Sequence, residues 1–413
     1  MSTEDRGKIS KSLSVFSWAL YDLANQFFAL LIVSLYFPRW VSIENGVPEI
    51  FYSLAFGVSM LLVAVFAPVL GTIADVKRKH KAFLIFFTLL SIAFTIGLSL
   101  RVNIFLALGF FGIANFGCQE AITFYNALMA KIAPRGKAGL VSGLGRMFGY
   151  SGAVIAIFLA KPVILTGGYR AAFLFAGIMF FIFALPCMIF VRETGDEKNA
   201  GPSRLPEGRA WTDVYGKLKK AFSEIRKIDG FVDFLKASFF SLCAVNTVIL
   251  FMSVYAWRVF GLDGDQLIDL IAFSTLFAIV GSLLSGYLSD LLGYRRLLMG
   301  IFFLWMICIL GGALLSLPFL WLVGALLGLS LGSTWVVLRA TVVKLVPEEM
   351  IGEAFGIFSL INYFSGVVGP VLWGLLLLYL SRLGGMGYRL AFLGLILFFV
   401  LGVVFLLKKR EVY

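Results

Sequence analysis

Charge is scarce in this sequence: only 14% of its residues are Asp, Glu, Lys or Arg, where a soluble domain carries about a quarter. Histidine is scarcer still, with His80 alone, which excludes a histidine proton relay inside a membrane and leaves little for a metal or acid–base centre. The four cysteines, Cys118, Cys187, Cys243 and Cys308, all fall inside apolar runs. They read as small packing residues and not as a disulfide or metal framework. No Gly-x-x-x-x-Gly-Lys-Ser/Thr loop is present, so bound ATP is not the energy source, and a membrane enzyme has no clustered nucleophile, base or metal ligands to use. The polar start, Met1 to Ser12, runs into an apolar stretch too long for a signal peptide.

What remains is apolar. Hydrophobic residues make up 60% of the 413, with Phe and Gly at 43 each, a mix suited to lipid-facing surface and close helix packing. A membrane span needs roughly 20 mostly apolar residues. Twelve such runs are expected near 14–38, 50–75, 82–100, 104–130, 139–165, 170–191, 233–257, 266–290, 297–317, 319–343, 354–380 and 388–407. The fold class is therefore an all-α integral membrane protein.

The net charge of +12 could suggest nucleic acid, but the basic residues bracket apolar runs instead of forming one stripe, so no nucleic-acid partner is expected. Of the 35 lysines and arginines, Arg39, Arg101, Lys161, Arg170, Arg258, Arg382 and Arg389 fall in one set of connections, Arg146 and Arg339 lie within spans, and the other 26 fall in the alternate set. That bias predicts a multi-pass protein of the cell membrane with both termini cytoplasmic. The connection 192–232 separates an N-terminal six-helix bundle, 1–191, from a C-terminal one, 233–413. Its first part, with Gly201, Pro202, Pro206 and Gly208, reads as a flexible linker. Its second part, with Trp211, Val214, Tyr215, Leu218, Phe222, Ile225 and Ile228 at helical spacing among lysines, reads as a basic amphipathic helix on the inner membrane face.

The two halves repeat one motif. Gly71-Thr72-Ile73-Ala74-Asp75-Val76-Lys77-Arg78-Lys79-His80-Lys81 returns 215 residues later as Gly286-Tyr287-Leu288-Ser289-Asp290-Leu291-Leu292-Gly293-Tyr294-Arg295-Arg296. Each copy ends an apolar run with a glycine four residues before an aspartate and finishes in basic residues. The glycines would let helices approach closely, and the basic cluster would stay with the anionic inner leaflet. A topological loop alone would collect the charges, but two copies between the second and third helix of each half favour a duplicated hinge.

These hinges are similar to the loop signature of the major facilitator superfamily, Gly-x-x-x-Asp followed by Gly-Arg-Arg/Lys. Arg78 stands where the second glycine of that signature would sit, and Tyr294 where its first arginine would. The resemblance runs over essentially the whole chain and implies twelve helices in two pseudo-symmetric six-helix bundles. It also implies that Gly71, Asp75, Arg78 and Lys79, with Gly286, Asp290, Gly293, Arg295 and Arg296, act in the conformational cycle without touching substrate. Finer stretches resemble the vacuole-effluxer-like branch, which includes autophagy-linked amino-acid exporters. They are Ser17-Trp18-Ala19-Leu20-Tyr21-Asp22-Leu23-Ala24-Asn25, Phe124-Tyr125-Asn126-Ala127-Leu128, Ser142-Gly143-Leu144-Gly145 with Gly149-Tyr150, Arg339, and Gly369-Pro370. The seventh helix departs: Leu242-Cys243-Ala244-Val245 precedes Asn246-Thr247 where the branch carries a carboxylate.

Polar groups inside a span cost several kcal/mol unless paired or hydrated, so each is a candidate for function. Trp18, Asp22, Asn25 and Gln26 follow i, i+4, i+7, i+8 spacing and share a face near the bilayer middle. A cavity-facing stripe is favoured over interhelical glue. Glu120 suits a carboxylate that gains and loses a proton, or else it forms a permanent ion pair with a residue such as Arg146. Asp22 is a rival proton site. Arg146 and Arg339 either snorkel to the membrane face or meet an anionic substrate group. Tyr125, Asn126, Asn246 and Asn362 are either substrate contacts or interhelical hydrogen bonds. Gly139, Gly143, Gly145, Gly149 and Gly152 read as helix packing and not as a dinucleotide fingerprint, because no strand precedes them.

Together these features predict a secondary transporter of a small solute, with amino acids the class the resemblance implies, protons as the coupling ion and no cofactor. It would alternate access by rocking its halves. Membrane lipids are its surroundings, and a monomer suffices because the pathway needs no partner. A lipid or lysolipid translocator of the same fold is the alternative.

Overall fold

The computed structural model describes the backbone except at 1–2, 133–137, 192–215, 217–221, 225, 348–349 and 409–413. The side chains at 3–11, 75–76, 130–131, 138–143, 146, 290 and 351–353 are likewise left undescribed. All regular structure among the described residues is helical. In lipid no water satisfies a backbone N–H or C=O, so each span must close its own hydrogen bonds.

Helix α1 runs from Thr3 to Phe28 and continues through π-helical turns, Ala29–Tyr36 and Trp40–Glu44, around one α turn at Phe37–Arg39. Then follow α2 (Glu49–Lys77), α3 (His80–Gly97) and α4 (Ile104–Ile132). A helical run Ala138–Phe190 comes next, then α7 (Phe231–Phe260), α8 (Gly264–Leu292), α9 (Tyr294–Leu314), α10 (Leu320–Leu345), α11 (Ile351–Leu380) and α12 (Gly385–Leu407).

Among the described residues, eleven runs are long and apolar enough to cross a membrane. One, Met147–Phe190, has 44 residues, a length of about 66 Å or twice a hydrocarbon core. It breaks at Gly168, whose φ of 69° and ψ of −170° are not helical. The contacts with α1 show what the break does. Before it, Gly145, Gly149 and Gly152 meet Trp18, Asp22 and Leu23, so both helices ascend together. After it, Tyr169, Phe173, Phe180 and Phe190 meet Tyr36, Phe37, Tyr21 and Ser14, so the order is reversed. The chain turns back at Gly168, giving α5 (138–167) and α6 (169–190), so the described residues hold the twelve long apolar helices expected.

By contacts the chain forms two compact units, Met1–Trp40 with Val58–Val214, and Val41–Gly57 with Tyr215–Tyr413. The stretch 41–57, which the sequence assigns to the first half, therefore packs in the second unit. In the first unit a buried aromatic layer joins α1, α4 and α6: Phe37 stacks on Phe111 at 4.8 Å and Trp40 meets Phe173 at 5.8 Å. In the second, α8 and α10 touch along small residues, with Gly324, Gly328 and Gly332 set against Leu270, Ser274 and Ala278.

The two hinges are similar in sequence but differ in backbone. After α2, Arg78 takes a left-handed φ of 52°. The Lys79 N–H then reaches back to the Ala74 carbonyl at 3.1 Å, a C-cap that glycine usually supplies. After α8, Gly293 alone, with φ 75° and ψ 147°, both ends one helix and starts the next. The second hinge is thus one residue shorter, and beyond it the repeat shifts from 215 residues to 214. Lys81 and Arg295 become equivalent: Lys81 Nζ donates to the Ile189 carbonyl at 3.2 Å, and Arg295 Nε to the Leu406 carbonyl at 2.6 Å. Each caps the last turn of the sixth helix of its own half.

A Cβ on Gly71 or Gly286 would meet nothing within 4 Å among the described residues. His80 is not a loop residue but the first residue of α3, and it is buried beside Phe124. Of the basic residues, Lys81 and Arg295 bond helix ends, while Lys77, Arg78, Lys79 and Arg296 are exposed. The side chains of Asp75 and Asp290 lie outside the described residues, as do Trp211, Val214, Tyr215, Leu218 and Ile225 of the amphipathic segment. Phe222 in that segment is exposed, and Lys227 pairs with Glu224 at 2.9 Å.

Candidate functional site

The first unit gathers most of the polar residues that the sequence singles out. Trp18 is buried on α1. Its Nε1 donates to the Tyr125 carbonyl of α4 at 2.9 Å, and its ring lies on the Tyr125 ring at 4.4 Å with an interplanar angle of 2°. Tyr21 also stacks on Tyr125, at 5.1 Å, and its hydroxyl shares a 2.6 Å hydrogen bond with Thr88 of α3. The α5 glycines make the arrangement possible: a Cβ on Gly145 would lie 2.8 Å from the Trp18 ring, and one on Gly149 would lie 2.8 Å from an Asp22 carboxylate oxygen.

The α1 stripe is therefore divided among neighbours. Trp18 and Asn25 turn to α4, where the Asn25 Oδ1 accepts from Cys118 at 3.6 Å. Asp22 lies half-buried against α5, and Gln26 is half-buried. On α4, Asn126 is exposed and Gln119 half-buried, while Asn115 is buried and donates to Ser59 of α2 at 2.7 Å. The helical period places these three on one polar face. Sequence reasoning met Tyr21 only within the family-like stretch and Cys118 only as a packing residue, and it passed over Gln119. Gln119, next in sequence to Glu120, carried the same signal of an amide inside a span.

Glu120 stands apart from that cluster. It is 0% exposed, and neither carboxylate oxygen has a hydrogen-bond partner among the described residues. Gly117 and Phe124, three residues before and four after, share its side of α4 and both meet α3: Gly117 at the Phe87 carbonyl, and Phe124 against Phe83 and Phe87. Cys118 and Tyr125, which meet α1, lie on a different side. Glu120 thus belongs to the packed α3–α4 side. The Arg146 side chain, its expected partner, lies outside the described residues.

In the second unit, Asn246 and Asn362 are brought together through Ser365. Asn246 Nδ2 donates to Ser365 Oγ at 3.0 Å, and that hydroxyl donates to the Asn362 carbonyl at 2.7 Å. The Asn362 Oδ1 is buried without a hydrogen-bond partner among the described residues. Arg339 is exposed near the end of α10. No group of three or more His, Cys, Asp or Glu that could hold a metal ion occurs among the described residues. What these sites offer is polar contact and charge inside an apolar bundle, the chemistry of a solute pathway.

The family model described as "Vacuole effluxer Atg22 like" matches residues 49–409. The chain belongs to the vacuole effluxer Atg22-like family. The match begins at Glu49, so it excludes the α1 stretch Ser17–Asn25. An uncharacterized protein of Aquifex aeolicus is 30% identical over 89% of this chain and 90% of its own length. The MFS-type transporter YxiO of Bacillus subtilis is 26% identical over 94% and 93%. Among solved structures, a point mutant of the nucleoside transporter NupG superposes with a TM-score of 0.78 at 14% identity, over 96% of this chain and all of that one. A bacterial homologue of the human lysosomal transporter Spinster gives 0.73 at 15% identity, over 96% of each. At those identities the likeness speaks to fold alone. This Atg22-like chain is a multi-pass membrane transporter with the major facilitator fold and not an enzyme.

Proposed function

We propose that this Atg22-like chain is a secondary active transporter of amino acids, driven by protons that bind at Glu120 or Asp22. The observation that carries the reading is Glu120, sealed in the first unit with both oxygens unpartnered among the described residues. An ionised carboxylate without a partner costs several kcal/mol in such a setting. The arrival or departure of one proton there changes the energy of the α3–α4 packing, which is what coupling requires. Asp22 is the rival because it is half-buried beside the α5 glycines and open to exchange. The amino-acid class rests on the family and not on the fold, which hosts unrelated substrates. The charge bias of the connections supports cytoplasmic termini in a cell membrane, and the family's description supports export.

Purified protein in proteoliposomes tests this. A pH gradient should drive accumulation of labelled amino acids. Glu120→Gln should abolish that accumulation while sparing exchange of one amino acid for another. Accumulation with unchanged pH dependence in Glu120→Gln would move the proton to Asp22. Movement of lysolipid with no amino-acid flux would replace the substrate class.

A further inference from the structure

The second unit holds a cavity of about 480 Å³ that the proposed transport reading does not use. Its size falls in the range of small-molecule sites, roughly 300–1,000 Å³. It is lined by the connection before α2, from Ser42 to Glu49, by the end of α7 at Trp257 and Arg258, and by the connection from α11 to α12 with Tyr388.

This lining brings one acid and one base together without pairing them. Glu49 is only 5% exposed. Its Oε1 accepts from the Tyr388 hydroxyl at 2.5 Å, while Oε2 accepts no hydrogen bond among the described residues. Arg258 is exposed, and one of its Nη groups donates to the Ser42 carbonyl at 2.9 Å. Its guanidinium lies over the Trp257 ring at 5.1 Å and the Tyr388 ring at 5.7 Å. Besides that bond and a hydrogen bond with Tyr388, its remaining donors meet no partner among the described residues. Tyr388 touches both groups and holds them on one wall.

A purely structural role accounts for part of this. Glu49 begins α2, where a helix N-terminus favours a carboxylate, and its bond to Tyr388 ties α2 to α12. That role does not explain why a nearly buried carboxylate and an arginine line one cavity without an ion pair between them. A ligand with both charges on neighbouring atoms supplies the missing partners. Its carboxylate matches the guanidinium fork, its ammonium matches Glu49 Oε2, and Trp257, Leu377 and Leu378 offer apolar wall for a side chain.

We propose that this cavity binds α-amino zwitterions, with Arg258 taking the carboxylate and Glu49 the ammonium. The ligand class deepens the amino-acid reading above, but the site is separate from Glu120 and Asp22. The test measures equilibrium binding of L-leucine, L-lysine and L-glutamate, singly, to the full chain carrying Glu120→Gln in lipid nanodiscs. In that background, the binding that Arg258→Gln and Glu49→Gln remove reports the cavity, whether or not proton-driven transport is correct, because the transport site that still supports exchange is common to every variant. At least one amino acid should bind. Its decarboxylated and deaminated analogues, for leucine 3-methylbutylamine and 4-methylpentanoate, should bind at least tenfold more weakly. Arg258→Gln and Glu49→Gln should each weaken amino-acid binding at least tenfold. Glutamine at 49 keeps an oxygen for Tyr388, so that variant retains the α2–α12 tie. If Arg258→Gln fails to fold, Arg258→Lys is read in its place, because it keeps the charge and loses the fork. The proposal is overturned if none of the three amino acids binds, if either analogue binds as tightly as its amino acid, or if binding ignores the substitutions. Binding of inorganic phosphate in preference to all three would make the cavity an anion site and overturn it equally. Loss of amino-acid transport with this binding intact would remove the transport reading alone.

Discussion

Replacing Arg78 by glycine should stabilise the protein, although it deletes a charge from the hinge. Arg78 follows the last residue of α2 with φ 52°, and the Lys79 N–H closes the cap on the Ala74 carbonyl at 3.1 Å. A side chain at such a position costs about 1–2 kcal/mol through Cβ and carbonyl crowding. Glycine removes that cost but returns roughly 0.4–1 kcal/mol through the greater freedom of the unfolded chain. The Arg78 side chain is exposed, so little packing is lost. The net expectation is a gain of about 0.5–1 kcal/mol. The other hinge provides the control with the opposite sign. Gly293 holds φ 75° and ψ 147°, a region essentially closed to other residues and costing about 1–3 kcal/mol to impose on one. A Cβ there meets nothing within 4 Å among the described residues, so Gly293→Ala should lose stability through its backbone alone. Thermal and detergent unfolding of purified Arg78→Gly and Gly293→Ala, each against the parent, gives the comparison. The reasoning fails if Arg78→Gly is less stable than the parent, or if Gly293→Ala is unchanged.

Three other substitutions probe the same packing. Gly145→Ala places a Cβ 2.8 Å from the Trp18 ring, so the Trp18–Tyr125 stack must open at a cost of about 1–3 kcal/mol; a melting temperature equal to the parent's would show that the stack yields freely. Lys81→Met and Arg295→Met each remove a donor from the last turn of α6 or α12. Each should cost about 0.5–1.5 kcal/mol, and unequal losses in the pair, measured by the same unfolding assay, would argue against their equivalence.

Particular residues show how much was legible beforehand. The spans were readable because an apolar run in lipid has few structural choices. Even the α5–α6 reversal fell between two of the expected runs, at Gly168. Of the α5 glycines that read as packing, 145, 149 and 152 each meet α1, and 139 and 143 lie outside the described residues. The α1 stripe was only half legible. Helical spacing puts Trp18, Asp22, Asn25 and Gln26 on one side, but that side spans the seam between two neighbours, so α4 takes two of them and α5 takes Asp22. Glu120 shows the same limit, since spacing cannot say whether a buried carboxylate turns toward α1 or α3. Asn246 and Asn362, separated by more than a hundred residues, gave no sign that Ser365 would join them.

Sequence by itself determined the class of protein, the series of apolar helices and the family resemblance, because apolar length, charge position and short motifs are local quantities that the bilayer reads directly. Tertiary structure decided the rest. Only packing revealed that Lys81 matches Arg295 and not Arg296, since the match depends on one backbone residue in a hinge and on where another helix ends. Only packing put residues 41–57 in the second unit, and with them Glu49 beside Tyr388 and near Arg258. Those groups are far apart along the chain, and nothing in local spacing encodes which distant carboxylate will share a cavity with which arginine.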